Sequence, residues 1–145
     1  MRNKLLEVAV ALTLLSAPVA AAELTVSHAT LRMISPAFPA AGYFDLANSS
    51  STPVTLTGAH SPSCGMLMMH KSSTEGGMAR MDDVDSLVIP PRGKISFAPG
   101  SYHLMCMDPA LSLMNARVAK VTLELQGARS IDTTFAITDA LGHPH

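Results

Sequence analysis

Two histidines and two methionines stand out by their spacing. Ten residues separate His70 from Met81, twenty-one separate Met81 from His103, and one separates His103 from Met105, a pattern H-x10-M-x21-H-x-M. Thioether sulfur is soft and uncharged; it suits Cu(I) and binds magnesium, calcium or zinc poorly. Imidazole accepts copper in either oxidation state. Two imidazoles and two thioethers without a carboxylate make a neutral cage for a soft monovalent ion, with weak ligands that a partner's side chains can displace. Taken singly, each methionine reads as a flexible gap-filler of a core. Taken together, His70, Met81, His103 and Met105 read as one metal site.

Particular elements must gather them. His103 and Met105 are two positions apart, so on a strand they share a face. The segment from His70 to Met81 folds back around Glu75-Gly76-Gly77, a hairpin signal. If His70 pairs opposite Met81, or one step diagonally, both side chains share a face. Met78 has the opposite parity to Met81 and should point away. Met66, Met68 and Met107 have the parity of the expected ligands and are either a soft rim around the ion or surface filling. Met69 reads as core. One short strand fixes His103 against Met105, so this pair should anchor the ion. The hairpin side, His70 and Met81, should yield first to a partner.

The chain around them reads as about nine short strands: residues 24–33, 42–46, 54–57, 66–70, 87–89, 94–97, 102–107, 116–125 and 131–137. Pro36, Pro39, Pro53, Pro62, Pro90-Pro91 and Pro99-Gly100 punctuate them. Short strands spaced near ten residues predict an all-β sandwich or barrel. The one helical piece expected is a turn within 108–115. Residues 139–145 read as a flexible tail.

A length of 145 residues suits a single domain. Ten Lys and Arg against eleven Asp and Glu leave none of the basic footprint of a nucleic-acid binder. At 48% apolar the chain is no disordered tail. Arg2 and Lys4 precede an uncharged stretch, 8–22, that ends with Ala20 and Ala22 in an A-x-A arrangement. That stretch falls short of the ~20 residues of a permanent span. A signal peptide over 1–22, cleaved near Ala22, is expected, with no stable membrane insertion afterwards; no lipidation cysteine follows it.

Export places Cys64 and Cys106 in an oxidising space. They form no CxxC, and a disulfide and two unpaired thiols both remain open; a thiolate copper ligand is the poorer alternative. Cys106 alternates with Met105 and should face the interior. His28 and His60 read as structural, and Asp82, Asp83 and Asp85 as a solvated loop. His143 and His145 would make only a weak two-residue site for Cu(II). No G-x-S-x-G, H-E-x-x-H, P-loop or Rossmann pattern is present, so no enzyme is expected.

The run Met69-His70 through Gly76-Gly77-Met78 and Met81, followed by Pro99-Gly100-Ser101-Tyr102-His103-Leu104-Met105, resembles the periplasmic copper chaperones of the PCu(A)C family. The Gly42-Tyr43-Phe44 and Asn48 region is similar to that family's early strands, and the resemblance extends over residues 24–138. It implies a cupredoxin-like β-sandwich over 23–138 in the periplasm, binding one Cu(I) through His70, Met81, His103 and Met105. It also implies a monomer that delivers copper towards the Cu(A) centre of cytochrome c oxidase, with an oxidase subunit or assembly factor as partner. Cys106 departs from the pattern, standing where an aliphatic residue is expected, and Cys64 is equally unexpected. A periplasmic copper-buffering protein for copper tolerance would share the same site. A blue-copper electron-transfer protein needs a histidine shortly after its ligand cysteine; after Cys106 none occurs before His143. A metal-independent exported adhesion or structural module is the third class.

Overall fold

The computed structural model describes residues 23–145, so the expected signal peptide at 1–22 lies outside the described residues. The described chain forms ten strands: β1 Leu24–Arg32, β2 Ala40–Asn48, β3 Val54–His60, β4 Cys64–Glu75, β5 Met78–Asp83, β6 Leu87–Ile89, β7 Lys94–Phe97, β8 Tyr102–Pro109, β9 Val118–Leu125 and β10 Arg129–Thr138. A short 3-10 helix, Leu111–Met114, fills the expected helical turn. The strands hydrogen-bond in the order β5-β4-β8-β7-β2-β1-β10-β9-β3-β6, and β8 also pairs with β2. This sheet folds over on itself: β3, near one end of the order, packs against β4, near the other, and β6 meets β2. The result is the cupredoxin-like β-sandwich that the sequence led us to expect.

Alternation drives the packing. Every second residue of β2 is buried, from Ala40 through Phe44 and Leu46 to Asn48. Along β9 the buried set is Ala119, Val121, Leu123 and Leu125. Phe44 lies 4.4 Å from Phe97 and 5.5 Å from Phe135 between ring centroids, joining strands β2, β7 and β10 in one aromatic cluster.

Three expectations need correction. There are ten strands rather than nine, because β5 carried no readable pattern. All its residues are exposed and it is an edge strand held by β4 alone, so no apolar alternation marks it. Strand β4 is also longer than 66–70, running back to Cys64 and forward to Glu75. Finally, residues 139–145 turn back on β10 instead of trailing free. Asp139 donates its N–H to the His143 carbonyl at 2.9 Å, Pro144 bridges Thr138, and His145 donates to the Ile137 carbonyl at 3.2 Å. Among the described residues no helix is long and apolar enough to cross a membrane.

Candidate metal centre

Strands β4 and β8 run antiparallel with Met66 opposite Met107, Met68 opposite Met105 and His70 opposite His103. The residues between them, Leu67 and Met69 on β4 and Leu104 and Cys106 on β8, are buried in the core. The methionines and histidines therefore share the opposite face. Strand β5 extends that face beyond β4, with Asp83 opposite His70 and Met81 opposite Ser72. Met81 is thus the diagonal neighbour of His70, one of the two arrangements the hairpin allowed. Gly76 and Gly77 make the turn with φ of 57° and 78°, the left-handed region that only glycine enters cheaply. The four expected ligands fall on one face: His70 and His103 face to face, Met105 one step along β8, and Met81 across the hairpin.

The two imidazoles stand edge to face, 5.6 Å between centroids. His103 is only 5% exposed. Its Nδ1 lies 3.3 Å from the Ser101 carbonyl, which can only accept, so Nδ1 carries the proton and Nε2 presents a lone pair. His103 Nε2 and both ring nitrogens of His70 are buried without a hydrogen-bond partner. Buried polar atoms are normally partnered. One such nitrogen from each of two facing rings fits a cation held between them. Asp83 corrects another expectation. It is not part of a solvated loop but sits on β5 with Oδ1 3.0 Å from His70 Nε2. This carboxylate is the polar neighbour of that nitrogen on the site face.

Donor chemistry narrows the cation. Among the described residues no three His, Cys, Asp or Glu side chains are grouped to hold a metal ion. The other side chains beside the two imidazoles on this face include thioethers, which suit a soft ion. Met105 is half-buried and Met81 is 53% exposed. Sequence reasoning passed over Met68 as a ligand, although it sits directly opposite Met105 and two positions from His70. Its parity was the available signal; the missing fact was the β4–β8 register.

Cys64 and Cys106 are joined by a disulfide, which resolves the open alternative and removes any thiolate. Cys106 is fully buried, on the interior face as expected. The other histidines lie apart from the site. His28 Nδ1 is 3.0 Å from Asp45 Oδ2, and His60 Nδ1 is 2.7 Å from Glu124 Oε1. The Ser96 hydroxyl, which donates to Asp45, and then His28 hold the Asp45 carboxyl below its usual range. His143 contacts Asp139 at 3.3 Å, and the His143 N–H bonded to that carboxylate lowers its pKa.

The LpqE-like model, described as a lipoprotein family, matches residues 24–137. The chain belongs to this family. A relative described as a lipoprotein of Leifsonia xyli subsp. xyli is 26% identical over 103 residues, covering 70% of this chain. The match spans 62% of that relative's length. Among solved structures, apo-DR1885 of Deinococcus radiodurans is 26% identical with a TM-score of 0.64, covering 99% of this chain and 97% of that one. The Cu(I) form of DR1885 is 25% identical with a TM-score of 0.62, over 89% of this chain and 84% of that one. The copper-bound PCuAC domain of PmoF2, 22% identical, shares the fold at a TM-score of 0.65, over 81% of this chain and 93% of that domain. The resemblance to PCu(A)C domains read in the sequence therefore stands in this family member.

Proposed function

We propose that this protein is an exported Cu(I) carrier that holds one ion with His70, Met81, His103 and Met105 and hands it to a partner. The observation that carries this reading is the pair of facing imidazoles with buried ring nitrogens that have no hydrogen-bond partner, His70 Nδ1 and His103 Nε2 among them, flanked on the same face by thioethers. The Cu(I) form of DR1885 supports the metal, and the lipoprotein description of the relatives supports export. The disulfide argues against a blue-copper centre, which needs a cysteine thiolate.

Copper is the cargo, and its transfer is ligand exchange without a net redox step. His103 and His70 hold the ion while the exposed Met81 thioether leaves and a partner's thiolate or imidazole enters. An open groove of about 420 Å³, lined by Ser72, Ala79, Arg80, Met81 and Gly100, adjoins Met81 and provides the approach. The partner implied is an oxidase subunit or assembly factor on the route to a Cu(A) centre. The deciding measurement is anaerobic Cu(I) competition against a chelator of known affinity, on the wild type and on His103→Ala. Tight one-to-one binding that His103→Ala weakens is expected; stoichiometric Zn(II) that displaces Cu(I) would overturn the reading.

A further inference from the structure

The β4–β8 ladder carries more sulfur than one ion requires. Along the outer face, the His70–His103 rung is followed by Met68–Met105 and then by Met66–Met107. Directly opposed residues on neighbouring strands have Cβ atoms ~4.5–5.5 Å apart, and those one rung on remain within reach of long side chains. Three thioethers, from Met66, Met68 and Met107, can therefore converge beyond the four-residue site without any movement of backbone. Packing does not explain them. The core at this level is filled from the other face by Leu67, Met69, Leu104 and Cys106. Met66 is instead 59% exposed, and Met68 and Met107 are only half-buried.

Two features hold this outer rung tight. A Cβ placed on Gly65 would come within 3.1 Å of Asp108 Cβ, so a larger residue there would crowd the opposite strand by a few tenths of an ångström. The disulfide between Cys64 and Cys106 bonds the same two strands at this end. A flexible sulfur-bearing rung pinned by a glycine and a disulfide is poorly accounted for as surface filling.

We propose that Met66, Met68 and Met107 form a second, thioether-only Cu(I) site adjoining the histidine site. It binds more weakly, since it lacks an imidazole. Met68 lies between the two, beside both His70 and Met105. An ion can thus pass from the outer rung to the histidines by exchanging one thioether at a time. Charge and oxidation state stay constant throughout: Cu(I) enters and leaves as Cu(I), and every donor is neutral.

The test uses anaerobic Cu(I) titration of the full exported domain with isotope-labelled methionine methyls. In the wild type, a second equivalent should shift the methyl signals of Met66, Met68 and Met107. Met66→Leu with Met107→Leu conserves volume and should abolish that second equivalent while leaving the first unchanged. His70→Ala with His103→Ala removes the histidine site, and one equivalent should still shift the Met66 and Met107 methyls. Saturation of the wild type at one equivalent, or a second equivalent retained by the leucine pair, would overturn the proposal. So would unshifted Met66 and Met107 signals in the alanine pair. An alanine pair that still binds the same two equivalents as the wild type would refute the four-residue carrier site alone.

Discussion

The face that gathers the histidines is built from two unlike halves. Strands β4 and β8 pair over seven registered positions, are joined by a disulfide and bury His103. Strand β5 is an edge, exposed along its whole length and tied to β4 through a two-glycine turn. The first half supplies His70, His103 and Met105; the second supplies Met81. The boundary differs from the expectation drawn from spacing, which put His70 with the hairpin. His70 stands directly opposite His103, on the side of the β4–β8 pair. A carrier needs both behaviours: donors that hold the ion where it sits, and one that lets go.

The contrast can be broken or sharpened by substitution. The largest effect should come from cutting the covalent tie. Cys64→Ser with Cys106→Ser opens a loop with a sequence separation of 42. On chain-entropy grounds this should cost about 4 kcal/mol, read in denaturant unfolding. If stability is unchanged, the anchored half does not depend on the bond. Next comes His103→Ala. Removing a partner outside a metal's own ligands commonly costs ~10–100-fold in affinity, so losing this ligand should cost at least ~100-fold. Chelator competition reads it directly.

Met81→Ala should cost less, roughly 10-fold on that scale, and should speed copper exchange in stopped-flow. A larger loss for Met81→Ala than for His103→Ala would reverse the assignment of anchor and gate. The smallest effect lies outside both halves. Asp45 ionises more readily in the folded chain than the usual 3.8, through Ser96 and then His28. Its contribution is therefore present above that pH and lost as pH falls through the lowered folded value. Asp45→Asn should destabilise by less than about 1 kcal/mol at pH 7. The difference from wild type should vanish in acid and leave Cu(I) affinity untouched.

What sequence could and could not reveal follows from what each segment faces. Strands such as β2 and β9 have one buried side, so alternation exposes them at once. Parity also placed Met105 and Cys106 on opposite faces correctly. Strand β5 has water on both sides and charges along it, so periodicity is silent there. The disulfide stayed open because Cys64 has the parity of His70 while Cys106 faces the interior, and alternation alone could not bring the two together. Asp83 looked like part of an acidic loop until the hairpin register set it against His70. The tail gave no sign of the Asp139 turn that returns it to β10, because short polar turns have no core to face.

The bond between Cys64 and Cys106 also guards an alignment. In a strand pair, a slip of one residue exchanges the two faces. On β4 such a slip would turn Met66, Met68 and His70 inward and present Leu67 and Met69 to water. The disulfide ties β4 to β8 in the observed alignment and so opposes that slip. Without the bond, only the ladder and the packing of Leu67, Met69, Leu104 and Cys106 hold that alignment. With the bond closed, Met66, Met68 and His70 stay on the face opposite Leu67 and Met69.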